Sequence, residues 1–176
     1  MQLPEHIFRA YDIRGIVGED LSEEIVRQIA LGFATLMRQE GRRHIAVGHD
    51  VRESSPTFAA AICDGLRDSE MDVVLLGQVP TPLLYYAVAH YGLDGGIMVT
   101  GSHNPINYNG LKITRDFWPI WGEEILKLRE VATHAKPYGT RGSLEKRDVL
   151  PPYRKELQEK FQLRSGLKVV VDCGNG

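Results

Sequence analysis

Ser102 lies in the stretch Val99-Thr100-Gly101-Ser102-His103-Asn104-Pro105, with Asn109-Gly110-Leu111-Lys112-Ile113 close behind it. A hydroxyl, an imidazole, an amide and an ammonium so near one another are groups that can hold and pass on an oxyanion. Gly101 has no Cβ, so a ligand or a second backbone segment can come close to the serine. The cationic and amide donors suit a phosphate better than an acyl group. Read as an ordinary turn, the same residues would have Ser102 and Asn104 bonding only their own backbone. Arg14, beside Gly15, is a further anion ligand by type, and a surface ion pair with Asp12 or Asp20 is the competing use of it.

These side chains need elements to position them. Gly95-Gly96-Ile97-Met98-Val99 is a short apolar run that suits a buried strand, and Asn104-Pro105 opens a turn that cannot continue it, so Ser102 falls at a strand end. Leu111 to Thr114 is expected to return as a hairpin strand, which puts Lys112 in or beside the loop and makes the sheet mixed. Upstream, the alternation from Ile7 to Gly15 predicts a strand entering a loop. Ser22-Glu23-Glu24 caps a helix whose stripe is Ile25, Ile29, Phe33 and Leu36, and Gly41 stops it. His44 to Gly48 is a strand, followed by the polar loop Asp50 to Ser54. A helix starting at Ser55-Pro56 comes next, with Phe58, Ile62, Gly65 and Leu66 inside. Val73 to Leu76 is the next buried strand, and Leu83 to Ala89 the next helix. The fold class is α/β, a three-layer α/β/α domain with a mixed sheet, in which ligands bind at loops beyond strand ends. Both polar loops, Asp50 to Ser54 and Thr100 to Lys112, fall there. Phe117 to Trp121 is an aromatic turn whose Trp118 and Trp121 are expected to pack, not to serve as a sugar platform. A further helix covers Gly122 to Thr133.

This first domain is expected over residues 1–135, with a turn-rich linker at 136–149. Residues 150–176 then read as the first helix, Pro151 to Gln162, and first strand of a second α/β domain. The valine-rich strand from Leu167 to Cys173 would need an edge to pair with, either its own helix or a neighbouring copy. Self-association through it, relieved by trimming near Gly142, is the expectation.

The 176 residues are 43% hydrophobic, enough for one α/β core and a little more. With 21 basic against 23 acidic residues the net charge is −2, which leaves no basic stripe for nucleic acid and makes any anion binding local. Cys63 and Cys173 are far apart in different elements, which gives neither a metal spacing nor a disulfide framework. The sequence shows no export signal and no 18-residue apolar run, so a cytoplasmic location away from membranes is expected.

Thr100 to Pro105 with Asn109 to Lys112 resembles the phosphoserine loop of the α-D-phosphohexomutases, in particular the phosphomannomutase/phosphoglucomutase group. Phe8 to Gly15, Val47 to Ser54, Pro80-Thr81-Pro82 and Val170 to Gly176 resemble the same family. His49 departs from it, since arginine is common there. The resemblance implies four domains around a cleft, of which this chain is similar to the first and the start of the second. It implies that Ser102 carries the phosphoryl group and that His103 and Lys112 are catalytic, Lys112 moving the proton of the attacking sugar hydroxyl. Tyr11, Arg14, Thr100, Gly101 and Asn104 would support the active site. A magnesium ion would be held through the phosphate on Ser102, with its remaining ligands outside this chain. The implied reaction moves phosphate between the 1 and 6 positions of a hexose phosphate, of glucose or mannose, through a hexose 1,6-bisphosphate. This chain alone is expected to be inactive. Two other readings stand beside this one. A serine hydrolase is disfavoured because the Gly-x-Ser-x-Gly elbow is absent; the other is a non-catalytic anion-binding module.

Overall fold

The Ser22 hydroxyl accepts a hydrogen bond from the Ile25 amide at 3.3 Å and starts helix α1, Glu23–Gln39, with Glu23 and Glu24 at its positive end. In the computed structural model, which describes residues 1–172, four further helices follow. They are α2 (Ser55–Arg67), α3 (Thr81–Tyr91), α4 (Glu123–His134) and α5 (Leu150–Lys160). Pro56 and Pro82 sit in the first turns of α2 and α3, where a missing N–H costs nothing. Gly92, left-handed at φ 62°, ends α3.

The strands are β1 (Ile13–Ile16), β2 (His44–His49), β3 (Asp72–Gln78), β4 (Gly95–Val99), β5 (Tyr108–Arg115), β6 (Trp118–Pro119) and β7 (Leu144–Lys146). They form one seven-stranded sheet in the order β1-β5-β4-β2-β3-β7, with β6 paired to β5. Pairing is parallel among β4, β2, β3 and β7, and antiparallel at β1–β5, β4–β5 and β5–β6, so the sheet is mixed. Alternation along the strands splits the core in two. Ile45, Val47, Val73, Ile97, Leu111 and Ile113 pack with α1, α2 and α4. Ala46, Val74, Leu76 and Met98 pack with α3. At Gly32, α1 comes so close to α4 that a Cβ would overlap Ala132. Cys63 is buried in the first core, and burial pushes its thiol up to about 12, so it packs as a small hydrophobe. Among the described residues no helix is long and apolar enough to cross a membrane.

Several expectations are corrected. The strand expected from Ile7 to Gly15 is shorter and later: a 3₁₀ turn occupies Glu5–Ile7, and a tight return pairs Phe8 with Ile13 before β1 begins. Trp118 and Trp121 are not buried in the core; they are 70% and 61% exposed, the Trp118 ring lies tilted 5.9 Å from that of Phe117, and Ile120 is the buried residue of that turn. Within the stretch read as a linker, Leu144–Lys146 adds a parallel strand to β3. Its three residues are exposed and are held by backbone pairing, which leaves no apolar signature in the sequence. Val149 is fully buried, and Leu150 and Tyr153 pack on the α3 side, with the Tyr153 ring edge-on to Tyr86 at 5.1 Å. Helix α5 is therefore attached to the first layer system. The strand expected at Leu167 to Cys173 is absent from the described part of it. Residues 167–172 run as exposed coil, with Val170 97% exposed. Cys173 and Gly174 to Gly176 lie outside the described residues.

Candidate active site

Strands β2 and β4 are parallel neighbours in a register that sets His49 beside Val99, so the loops that leave them emerge together. The Asp50 amide donates to the Val99 carbonyl at 2.9 Å and extends the pairing into those loops. Ser102 thus stands at the carboxyl end of a parallel strand pair, where α/β sheets place their ligands.

The serine loop is two turns in succession. The Asn104 amide and Asn104 Nδ2 both donate to the Gly101 carbonyl at 2.9 Å, and the Tyr108 amide donates to Pro105 at 3.0 Å. Ser102 takes a left-handed conformation, φ 49°, which an L-residue adopts at a cost of about 1–2 kcal/mol. Its amide donates to Thr100 Oγ1 at 3.0 Å, and its exposed Oγ lies 3.4 Å from His103 Nδ1. Behind the loop, buried Asn109 donates to the hydroxyls of Ser54 and Ser55 at 2.8 and 2.9 Å.

The β2–α2 loop closes on this structure from the other side. Asp50 Oδ1 accepts from Ser55 Oγ at 2.6 Å and from the Arg52 amide at 3.0 Å, and Oδ2 accepts from the Gly101 amide at 3.0 Å. Burial pushes the Asp50 carboxyl up, but the bonds from Ser55, the Arg52 amide, Thr100 and the Gly101 amide outweigh it and hold the group below its ordinary value. Arg52 reaches into the serine loop itself and donates to its carbonyls. Gly101 makes room for it, since a Cβ there would overlap the guanidinium. The ring of His49, the family departure, bonds the Asp50 carbonyl at 2.8 Å. Between the two loops opens a cavity of about 1130 Å³ lined by Asp50, Arg52, Thr100, Ser102, His103 and Asn104, among others.

Lys112 and Arg14 gather on the next strands. Arg14 sits opposite Gly110 in the β1–β5 register, which carries Asp12 to a position opposite Lys112. Lys112 Nζ lies 3.4 Å from Asp12 Oδ2, and Arg14 Nε lies 3.2 Å from Asp12 Oδ1. Arg14 and Arg9 line a smaller cavity of about 390 Å³ against the far side of the serine loop at Asn104, Pro105 and Tyr108. Both uses foreseen for Arg14, ion pair and anion ligand, are open to it there. Tyr11 is not brought into either lining; it is 74% exposed and borders Asp12. The sequence offers Asp12 only as a surface partner for Arg14, and Asp50 and Arg52 only as members of a polar loop; the structure shows them acting on the other residues through backbone groups and ion pairs.

Among the described residues no three His, Cys, Asp or Glu side chains cluster as a cage for a metal ion. Asp50 is already engaged at both oxygens. Taken by themselves, then, these side chains do not make a magnesium site, and a phosphate on Ser102 would bring only oxygen donors of its own.

Residues 5–136 match the family described as phosphoglucomutase/phosphomannomutase, alpha/beta/alpha domain I. The chain belongs to this family. The phosphomannomutase/phosphoglucomutase of Pseudomonas aeruginosa is 43% identical over 176 residues, covering 99% of this chain and 38% of that protein. A phosphoglucomutase of Neisseria meningitidis serogroup B is 36% identical over 97% of this chain and 37% of its own length. A crystal structure of a phosphoglucomutase/phosphomannomutase family protein from Burkholderia thailandensis superposes with a TM-score of 0.86 at 37% identity, covering 92% of this chain and 37% of that one. The chain thus spans well under half of these phosphoglucomutase/phosphomannomutase relatives.

Proposed function

We propose that this chain is the phosphoserine-bearing part of a phosphohexomutase, which interconverts hexose 1-phosphate and hexose 6-phosphate, of glucose or mannose, as a full-length protein. The observation that carries the reading is the presentation of Ser102: an exposed hydroxyl on a left-handed residue, at the carboxyl end of parallel strands, opening into a cavity of about 1130 Å³. Phosphoryl transfer depends on positioning and on neutralising charge spread over the oxygens, and this loop supplies both.

In the proposed cycle a hydroxyl of the bound sugar attacks the phosphorus of phosphorylated Ser102. The new O–P bond forms as the bond from phosphorus to Ser102 Oγ breaks, giving a sugar bisphosphate. Its other phosphate then returns to Ser102 after the sugar has turned round. Lys112, acting as the neutral amine, takes the proton of the attacking hydroxyl and becomes an ammonium, which the Asp12 carboxylate then stands against. His103, within reach of Ser102 Oγ, supports the leaving oxygen. Arg14 offers a guanidinium to the second phosphate. A magnesium ion would supply further charge neutralisation at the phosphate, with its protein ligands contributed from outside the described residues.

The test is chemical mapping. Full-length protein incubated with a hexose 1,6-bisphosphate should take up one phosphate, recovered on the peptide holding Ser102. Label on Ser54 or Ser55 with Ser102 unmodified would reject the assignment.

A further inference from the structure

The guanidinium of Arg52 makes more bonds to the serine loop than any other side chain, yet the cycle above gives it no task. Its Nη1 donates to the carbonyls of Pro105 at 2.7 Å and Tyr108 at 2.9 Å, and its Nη2 to those of Asn104 at 2.6 Å and Ser102 at 3.2 Å. Its side chain is 13% exposed, and Nε lies 3.6 Å from Asp50 Oδ2, the oxygen that takes the Gly101 amide. Two groups of one short loop therefore grip the serine loop by opposite poles, Asp50 taking an N–H and Arg52 covering carbonyls.

Two physical consequences follow. Carbonyl oxygens that converge on one point repel one another and would repel an anion nearby; a cation among them removes both penalties. The grip also spans Ser102 and the turn that follows it, so it resists relaxation of the Ser102 backbone out of its left-handed conformation. A lysine could not substitute, because one ammonium lacks the planar fork that reaches several acceptors at once. The empty space at Gly101 is shaped for this guanidinium, since a Cβ there would meet Nε and Cζ of Arg52.

We propose that Arg52 is a positioning residue for phosphoryl transfer at Ser102. It fixes the backbone of residues 102–108 and neutralises their carbonyl dipoles, and it does not bind the sugar phosphate. The kinetic half of this proposal rests on the mutase reading; the structural half does not, and the experiment separates them.

In the first arm, amide hydrogen exchange over residues 101–108 is compared in this chain, in Arg52→Lys and in Arg52→Gln. Both variants should exchange at least about tenfold faster in that segment, with β2 and β4 protected as before. In the second arm, the full-length protein carrying Arg52→Lys should lose roughly 100-fold in kcat while KM stays within about threefold, as expected when a reacting group is misplaced and substrate binding is spared. If the Arg52 variants fail to fold, Gly101→Ala, which pushes the guanidinium aside and keeps its charge, should show the same local exchange. Unchanged exchange over 101–108 would overturn the proposal. So would rescue of kcat by lysine, or a rise in KM at constant kcat, which would make Arg52 a substrate ligand. Faster exchange in a protein whose wild type has no mutase activity would leave the grip standing and remove the functional reading instead.

Discussion

Lys112 Nζ lies 3.4 Å from Asp12 Oδ2, across the β5–β1 edge of the sheet. The other oxygen of the same carboxylate faces Arg14 Nε at 3.2 Å, so Asp12 holds two cations of the candidate site at once. Asp12 is the less exposed partner in both pairs, at 17% against 32% for Lys112 and 36% for Arg14.

Asp12→Asn should therefore act in opposite directions on binding and on turnover. Without the carboxylate both cations are freer to meet an anion, and inorganic phosphate should bind this chain up to about fivefold more tightly, the most that a pair of this exposure is worth. Turnover of the full-length protein should fall about tenfold or more, because Lys112 is no longer held, and Lys112→Met should cost more, about 100-fold. A phosphate titration followed by NMR and a coupled mutase assay read the two effects. Weaker phosphate binding by Asp12→Asn would mean that the carboxylate builds the anion site instead of competing with it.

Ser102 supplies a test of backbone strain that is independent of chemistry. Alanine and glycine both remove the hydroxyl, but only glycine adopts a positive φ without cost. Ser102→Gly should be more stable than Ser102→Ala by about 1 kcal/mol in urea unfolding. Equal stability would show that the left-handed conformation at 102 is not retained in solution.

The acid side of the stability profile should depend on Asp50. Its carboxyl is held below the ordinary value of 3.8, so the unfolded chain binds more protons than the folded one as that range is crossed. Its contribution is fully present above about pH 4 and is lost as pH falls through the lowered value. Asp20, held down by the Ile16 amide and His6, and Asp72, held down by Ser143, act in the same sense. Asp94 does too, the amides of His44 and Arg43 outweighing its burial. Asp50→Asn should lower stability at neutral pH and flatten the acid limb without abolishing it, as measured by urea midpoints from about pH 6 to about pH 3. Parallel profiles for the two proteins would show that Asp50 titrates normally in the fold.

Ending the chain at Gly142 should promote association, the reverse of what the sequence suggests. That cut removes β7 from the open edge of β3, and with it Val149, Leu150 and Tyr153 from the α3 face. A strand newly left at the sheet edge and a bared apolar surface both seek partners. Light scattering should show more self-association for residues 1–142 than for the 176-residue chain. A cleaner monomer after the cut would restore the view that the tail is the adhesive part.

The layered α/β architecture was legible because its signals are local. Ser22 caps α1, prolines open α2 and α3, and unbroken apolar runs mark β2, β3 and β4. Ser102, His103 and Asn104 were legible as one loop because they adjoin in sequence. The failures have physical causes of their own. β7 is Leu-Glu-Lys with every side chain exposed, so nothing but backbone pairing defines it. Trp118 and Trp121 are apolar without being buried, since a residue's type does not say what lies over it. Arg52 escaped because its partners are carbonyl oxygens, which every residue has and no side-chain pattern reports.

Asp12 and Lys112 meet across 100 positions of sequence, and Arg52 reaches the Ser102 carbonyl across 50. Neither meeting can be made before the serine loop and β5 have been added to the chain. β1 emerges early but, among the described residues, pairs with β5, which follows β2, β3, β4 and the intervening helices in the chain. Closing loops of this length costs chain entropy, a cost that earlier pairing of the central parallel strands would reduce by shortening the path. The loop around Ser102 therefore depends on several layers at once: displacing the β2–α2 loop or the β1–β5 edge would leave Ser102 unsupported and its neighbouring cations scattered.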